Sequence, residues 1–225
     1  NTRGDQITDV RLSEMGGKGL FTTNIEKKLR DSDIDIAVHA LKDMPAVETK
    51  GLFAGFFLKR NDPRETLISA KKKKLRDLKP RSIIGTSSLR REYQIKKIRN
   101  DISCKLIRGN IDTRIKKLKD KSYDAIILAT AGLKSLKLEK EITQIFPVNE
   151  IIPSVGQGVI LMQCREDDTR ISKLLNSLSD PDTYKCVTAE RDVLKILDGD
   201  CETAVGAHAF LKDNKITLNA ELFSL

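Results

Sequence analysis

Short apolar runs alternate along this chain with segments in which apolar residues recur every three or four positions. The short runs predict β-strands, at residues 35–41, 52–58, 82–85, 104–107, 124–129 and 159–164. The periodic segments predict α-helices, at residues 89–99, from Ile111 to beyond Leu118, and from Tyr184 to Leu197. Strands that alternate with amphipathic helices are typical of α/β proteins, so the pattern predicts an α/β fold.

Two polar segments interrupt this pattern and predict passages between domains. The first has the sequence KRNDPR at residues 59–64, and the second has PSVGQG at residues 153–158. The apolar run after the second passage has a suitable length to return to the sheet that precedes the first passage. Two such crossings would form a hinge between that sheet and an α/β domain at residues 62–152.

The two ends of the chain predict that it is a fragment. It begins with the polar residues NTRGD, without an initiator Met or an apolar signal segment. Near the other end, the polar turn KDNK at residues 212–215 predicts a β-hairpin. The sequence stops inside the apolar run that follows this turn, so the second strand of the hairpin is expected to be interrupted.

Composition narrows the possible functions. No apolar run in the 225 residues approaches the roughly 20 needed to cross a bilayer, so no membrane span is expected. The chain has 41 Lys and Arg against 32 Asp and Glu, and its net charge of +9 favours an anionic ligand. Aromatic residues make up 4% with no Trp, which offers few surfaces for base stacking, so no nucleic acid partner is expected.

The cysteines and histidines argue against a metal site. Cys104, Cys164, Cys186 and Cys201 are widely spaced without a C-x-x-C pair, and the chain has only two His. In the absence of a secretion signal, the four cysteines predict reduced thiols in a cytoplasmic protein. Both histidines, His39 and His208, lie in apolar segments, where a hydrogen-bonded core histidine is the expected structure.

Eight segments together closely resemble the porphobilinogen deaminase family. They are GGKGLF at 16–21, DIAVHALKDMP at 35–45, GTSSLRR at 85–91, RGNIDTR at 108–114, YDAIILATAGL at 123–133, PSVGQG at 153–158, TAER at 188–191 and GDC at 199–201. No one of these segments would suffice. Their number, order and spacing span nearly the whole chain and make the resemblance specific.

The resemblance implies a particular arrangement of α/β domains. Two domains similar to periplasmic binding proteins are joined by a double-crossing hinge, and a smaller α+β third domain carries the cofactor cysteine. The first domain would comprise residues 1–60 and 159–176, and it would lack its N-terminal part. The second would comprise residues 62–152, and the third residues 180–225, without its C-terminal part.

The resemblance also implies a transferase of tetrapyrrole and haem biosynthesis. Such an enzyme, a hydroxymethylbilane synthase, deaminates porphobilinogen and condenses it head to tail on a covalent dipyrromethane primer. Hydrolysis then releases hydroxymethylbilane. The implied ligands are porphobilinogen and the growing oligopyrrole, and the family implies a cytoplasmic monomer. The alternative is a two-lobed module that binds carboxylate or other anionic ligands without catalysis and has no use for a modified cysteine.

The resemblance places the dipyrromethane on a thioether at Cys201, although that residue alone is most simply interpreted as a buried, inert thiol. The side chains expected to bind this cofactor are Lys42, Ser88, Arg90 and Arg91. Arginine suits the carboxylates of a pyrrole because its planar fork binds them bidentately. Arg90 and Arg91 also lie in the first turn of a predicted helix, where the helix dipole attracts anions.

The positions expected to bind substrate are Lys18, Phe21, Ser87, Arg108, Arg114 and Gln157. Without the resemblance, each Arg is more simply a solvated surface charge, and Phe21 can equally pack in the core. Gln157 can serve the hinge itself. Among the hydroxyls after the strand at residues 82–85, we expect Ser88 to cap the helix and Ser87 to contact ligand.

Asp43 is the candidate catalytic residue. Loss of ammonia from the aminomethyl group of porphobilinogen leaves a cation conjugated with the pyrrole nitrogen, and a nearby carboxylate can stabilise it through the N–H. Asp43 follows a predicted strand and precedes Met44 and Pro45, and the family's catalytic aspartate falls on this position. Without the resemblance, an Asp that caps a turn is the simpler interpretation.

Overall fold

The computed structural model describes residues 22–197, 199 and 203–223. Its strands are β1 Ala37–Ala40, β2 Leu52–Phe57, β3 Glu65–Ser69, β4 Ile83–Gly85, β5 Ser103–Lys105, β6 Ala125–Ala129, β7 Gln144–Ile145, β8 Ile160–Arg165, β9 Val205–Lys212 and β10 Lys215–Leu222. Its α-helices are α1 Thr23–Arg30, α2 Leu89–Ile98, α3 Ile111–Lys119, α4 Thr130–Ser135, α5 Thr169–Leu178 and α6 Pro181–Ile196. Short 3-10 helices occur at Leu41–Asp43, Leu75–Asp77 and Glu139–Glu141. None of the helices in these ranges is long and apolar enough to cross a membrane.

The first sheet has the strand order β1-β8-β2, and β8 is antiparallel to both neighbours. Ala37 pairs with Gln163 on one side of β8, and Leu52 pairs with Arg165 on the other. The central strand comes more than 100 residues after its neighbours in sequence. The chain therefore leaves this sheet after β2 and returns to it after the second sheet is complete, while the predicted limits of the domains stay a prediction.

The second sheet has the order β5-β4-β6-β3-β7, with β4 parallel to β5 and β6 and with β3 antiparallel to β6 and β7. The run Ala125 to Leu128 in β6 is buried, as expected for a strand covered on both faces. Apolar side chains of β3, β4 and β6 contribute to the clusters on the two sides of this sheet. The predicted α/β class is confirmed.

A two-stranded hairpin, β9-β10, forms the third sheet and packs against α6. Lys212 and Lys215 pair across a two-residue turn, in which Asp213 and Asn214 have φ angles of 50° and 57°. Two consecutive left-handed residues form a tight hairpin turn whose twist matches that of the strands. The predicted hairpin is confirmed, and Leu222 of β10 still pairs with Val205.

Two predicted strands end earlier in the structure, and one strand of the structure was not predicted. The strand predicted at 104–107 ends at Lys105, and the strand predicted at 35–41 ends at Ala40 because Leu41 begins a 3-10 helix. The backbone N–H of Leu41 donates to the carbonyl of Val159, and that of Met44 donates back to Leu41, which closes the turn. Strand β3 has no counterpart among the predictions, because it opens with Glu65 and so lacks an apolar start.

Glu190 of α6 connects both crossings to the third sheet. This carboxylate is fully buried and accepts two hydrogen bonds from Arg60 in the first crossing, at 2.7 and 2.9 Å. It also accepts from the backbone N–H of Gly156 in the second crossing, at 2.8 Å, and of Ala209 in β9, at 2.6 Å. A buried charge is tolerated only when it is paired and hydrogen-bonded, so these segments must stay together.

Gly158 lies where the two crossings approach each other, and its substitution tests that contact. A Cβ there would lie 2.8 Å from the carbonyl oxygen of Asn61, and φ is +80°. Gly51 is a matched control because its φ is +82° and a Cβ there would meet nothing within 4 Å. Gly51→Ala should lower the free energy of unfolding by about 1 kcal/mol through its φ alone.

Gly158→Ala should add a further loss of roughly 1–3 kcal/mol because the backbone of the first crossing has to move. Chemical denaturation of the two variants and the parent measures the difference. Equal losses in both variants would show that the crossings are not in close contact at this point.

Candidate functional site

The 3-10 helix after β1 places Lys42 and Asp43 at the edge of the first sheet. Leu41 and Met44, on either side of them, are 2% and 3% exposed and pack in a cluster with Val159. Lys42 and Asp43 are only half-buried. The apolar neighbours therefore anchor the turn and leave the two charged side chains outside the core.

The hydroxyl side chains of Thr86, Ser87 and Ser88 lie between the end of β4 and the start of α2. The side chain of Ser88 accepts a hydrogen bond from the backbone N–H of Arg91 at 3.4 Å, so its predicted capping role is confirmed. The hydroxyl of Thr86 accepts from the N–H of Ser88 at 3.1 Å and is buried. Ser87 is half-buried, and the contacts of Ser87 and Ser88 with ligand stay predictions.

Arg90 is 4% exposed and its guanidinium bonds to the protein itself. One nitrogen, Nη2, donates to Glu65 Oε1 at 2.5 Å, and Nη1 donates to the carbonyl of Ile152 at 2.5 Å. These bonds connect α2 to the start of β3 and to the second crossing. The predicted contact of Arg90 with the cofactor stays a prediction.

Arg91 is 7% exposed but has an unused donor. Its Nη1 donates to the carbonyl of Ile127 in β6 at 3.2 Å, and its Nη2 lies 2.8 Å from Glu65 Oε2. Its Nε is buried and has no hydrogen-bond partner among the described residues. A buried donor without an acceptor costs about 1–3 kcal/mol, so this nitrogen would gain from an anionic acceptor.

Arg108 and Arg114 flank the start of α3. Arg108 is 6% exposed, and Gly109 after it has a φ of +108°, which turns the chain into the helix. Arg114 donates from Nε to the carbonyl of Gly109 at 2.7 Å. Burial lowers the pKa of Arg114 to about 10; Arg91 and Arg108 lower it as well, while Asp43 opposes them.

Charged groups that follow strands of the two large sheets shift one another's pKa values. Burial lowers the pKa of Lys42, Asp43 raises it, and Arg91 and Arg114 lower it. We call these groups the cationic cluster, which comprises Lys42, Asp43, Arg91, Arg108 and Arg114. These four cations outnumber the carboxylates of Asp43 and of Glu65, which pairs with Arg91, so this set of charges is positive on balance. Ligand carboxylates would supply the missing negative charge.

A small cavity of about 30 Å³ lies beside the cluster. Lys42, Arg191 and Thr203 are among the residues that line it. Thr203 follows Cys201 by two positions, whereas Cys201 itself lies outside the described residues, as do Lys18 and Phe21. The role of Arg191 was missed by the sequence predictions: its Nη2 donates to the carbonyl of Pro45 at 3.0 Å and so holds the segment after Asp43.

Gln157 is 1% exposed and connects the two crossings. Its side-chain nitrogen donates to the carbonyl of Pro63 at 2.7 Å, which fits the hinge role left open by its sequence position. Its predicted contact with substrate stays a prediction. Glu65 was also missed, although a carboxylate directly after a predicted crossing and before an apolar run was a usable signal.

Two sequence families match the chain and together cover nearly all of it. Residues 1–173 match "Porphobilinogen deaminase, dipyromethane cofactor binding domain", and residues 184–225 match "Porphobilinogen deaminase, C-terminal domain". The chain belongs to the porphobilinogen deaminase family. It is therefore an enzyme of tetrapyrrole biosynthesis that uses a dipyrromethane cofactor and acts on porphobilinogen. The non-catalytic alternative is not favoured.

Curated porphobilinogen deaminases are close in sequence. The chain is 48% identical over 218 residues to the protein from Brevibacillus brevis, which covers 96% of this chain and 71% of that protein. It is 47% identical over 221 residues to the protein from Coxiella burnetii, which covers 98% of this chain and 71% of that protein.

Solved structures with a partly similar fold have low sequence identity to this chain. Protein PG110 from Staphylococcus aureus is 11% identical with a TM-score of 0.46, over 75% of this chain and 77% of that one. A mutant of the OxyR2 regulatory domain from Vibrio vulnificus is 15% identical with a TM-score of 0.41, over 70% of this chain and 76% of that one. Both TM-scores are below 0.5, so the fold class is assigned from the strand order of the sheets.

The electrostatic connection across the cationic cluster can be tested at Lys42. Arg114→Gln removes a nearby cation and should raise the pKa of Lys42, whereas Asp43→Asn removes a nearby anion and should lower it. A pH titration of the protein with ¹³C-methylated lysines, followed by NMR, measures the pKa, and Lys42→Arg assigns the signal.

Lys117→Gln is the matched control for this titration. Lys117 lies in the same helix as Arg114 but donates to the carbonyl of Arg108, so its loss should leave the pKa of Lys42 unchanged. Shifts of the same sign in the Arg114 and Asp43 variants would refute the proximity of the two sheets' charges.

Proposed function

We propose that the cationic cluster binds the acetate and propionate carboxylates of the oligopyrrole, and that Asp43 acts at the reacting pyrrole. The observation that carries the proposal is the unbalanced positive charge gathered from two sheets, together with the unused Nε of Arg91. Bidentate donors with a fixed charge suit carboxylates, and each pyrrole unit adds two of them. Binding of the growing product therefore needs more than one Arg.

The donor chemistry of the cluster fits a dipyrromethane, which carries carboxylates of the same kind. When bound, this group supplies the free pyrrole carbon to which the next unit is joined. We propose Cys201 as its attachment point, since Thr203, two positions further on, lines the same cavity as Lys42. A thiol needs access and some thiolate character to form the thioether.

Each remaining candidate has a proposed role in binding. Lys42 and Arg91 hold carboxylates between the two sheets, and Arg108 and Arg114 hold those on the side of α3. Lys18, Phe21, Ser87, Ser88, Arg90 and Gln157 are proposed as further contacts of the cofactor or the substrate. For Arg90 and Gln157, a direct contact would require their present protein bonds to rearrange.

Asp43 is proposed to accept a hydrogen bond from the pyrrole N–H of the reacting unit. The amino group leaves from its protonated, ammonium form: the carbon–nitrogen bond breaks, and ammonia departs with the bonding pair. The resulting positive charge spreads over the ring to the nitrogen, where the carboxylate of Asp43 stabilises it. Attack on this cation by the free pyrrole carbon at the end of the growing oligopyrrole would form the new carbon–carbon bond, and the loss of a proton from the attacking carbon would restore its aromatic ring.

The setting proposed for this enzyme is a cytoplasmic monomer without a nucleic acid partner. In this proposal, the positive charge serves to bind the carboxylates of the oligopyrrole. Aromatic residues that could stack on bases are few, at 4% of the chain. A steep fall in affinity for random DNA with rising salt would contradict this part of the proposal.

Intact mass spectrometry of the enzyme tests the attachment and the elongation together. Before substrate is added, the mass should exceed that of the chain by a dipyrrole, and the adduct should map to Cys201. Porphobilinogen should then add a ladder of single pyrrole units. Cys201→Ala should abolish the adduct, whereas Cys104→Ala should keep it; an adduct that persists in the Cys201 variant would overturn the assignment.

Asp43→Asn should lower kcat by about a hundredfold, since a preorganised electrostatic contact commonly contributes that much. The chain offers a matched control, because Asp77 ends a 3-10 helix of the same length and pattern, Leu75–Asp77. Asp77→Asn should leave kcat unchanged. Steady-state assays of both variants decide, and a fall in kcat of less than threefold in the Asp43 variant would exclude its catalytic role.

A further inference from the structure

Glu65 is a buried carboxylate that takes no direct part in the proposed reaction. It opens β3 directly after the first crossing and is 0% exposed. Its two oxygens face different arginines, with Oε1 at 2.5 Å from Arg90 and Oε2 at 2.8 Å from Arg91. Burial alone would raise its pKa, but Arg91 and Arg90 outweigh burial and hold the pKa at about 2.

The two arginines are held in different ways. Arg90 is fixed at both ends by aligned hydrogen bonds, and Gln94 supports it from the next turn. The side chain of Gln94 donates to the carbonyl of Ile152 at 3.0 Å and accepts from its N–H at 2.6 Å. Arg90 and Gln94 therefore fasten α2 to the second crossing.

Arg91 is held less completely than Arg90. Its ion pair with Glu65 Oε2 does not have the angle of a hydrogen bond, since that oxygen and Arg91 Nε are both without hydrogen-bond partners among the described residues. The aligned bond of this guanidinium goes to the carbonyl of Ile127. Its direction thus depends on charge attraction to Glu65 more than on hydrogen bonding.

We propose that Glu65 is a positioning residue for Arg91. The Glu65 carboxylate attracts Nη2 of Arg91. This attraction orients the guanidinium so that its Nε is directed towards the carboxylate of the ligand. Two arginines share one buried anion, which leaves a net positive charge for the ligand. Glu65 also raises the pKa of Lys42, so its influence reaches the first sheet. This inference rests on the proposed function, in which Arg91 binds a carboxylate of the oligopyrrole.

The test compares Glu65→Gln, Glu65→Asp and Gln94→Ala in the cofactor-bearing enzyme. Gln keeps the shape of Glu65 and its bond to Arg90 but removes the charge that directs Arg91. We expect KM for porphobilinogen to rise roughly tenfold in Glu65→Gln with kcat changed less than twofold, because misplacing a binding group by a fraction of an ångström weakens binding. Glu65→Asp keeps the negative charge, so its KM should stay within about threefold of the parent value.

Gln94→Ala is the matched control for a merely structural role. It loosens the same junction of α2 and Ile152 without touching Arg91, so it should lower the melting temperature and leave KM unchanged. A KM that follows the melting temperature across all three variants would overturn the proposal. If Glu65→Gln does not fold, Glu65→Asp and Gln94→Ala still decide, because a structural role predicts a raised KM in both.

Arg91→Gln separates the failure of this inference from the failure of the proposed function. If Arg91→Gln leaves KM unchanged, Arg91 does not bind substrate and the proposed function fails at this residue. If Arg91→Gln raises KM but Glu65→Gln does not, only the positioning role fails. In the Arg91→Gln background, Glu65→Gln should cause no further rise in KM, since the group that it positions is gone.

Discussion

The buried carboxylate of Glu190 is the constraint on which the arrangement of the site depends. A charge removed from water must be matched by donors, and Glu190 takes its four from Arg60, Gly156 and Ala209. These donors come from the first crossing, the second crossing and the third sheet. The carboxylate therefore joins all three parts at one point, and the relative position of the two larger sheets follows from that junction.

The cationic cluster is a product of this junction, because neither sheet contains it alone. The first sheet supplies Lys42 and Asp43 from a turn anchored in its core, and the second supplies arginines from the starts of α2 and α3. Lys42 and Asp43 follow the end of β1, while their apolar neighbours Leu41 and Met44 stay inside the core. Glu65 and Glu190 are both buried carboxylates beside a crossing, and each forms an ion pair with arginine: Glu65 with Arg90 and Arg91, Glu190 with Arg60.

Sequence patterns predicted the α/β class, the return of the chain after the second crossing and the capping by Ser88. They could not separate Arg90 from Arg91, because adjacent residues with the same side chain differ only in which neighbours the helix turns them towards. They also missed β3, since a strand that opens with Glu65 resembles a loop until its partner arginines are known. Long-range pairing of charges leaves little trace in local periodicity.

The proposed function requires that charges from both large sheets act on one bound oligopyrrole, and a double-mutant cycle in kcat/KM tests this requirement most directly. The cycle combines Asp43→Asn from the first sheet with Arg114→Gln from the second. If one ligand contacts both residues, loss of Arg114 lets the ligand move away from Asp43. The loss of transition-state stabilisation in the double variant should then be smaller than the sum of the two single losses by about 1 kcal/mol or more. Losses that add within error would contradict the shared site.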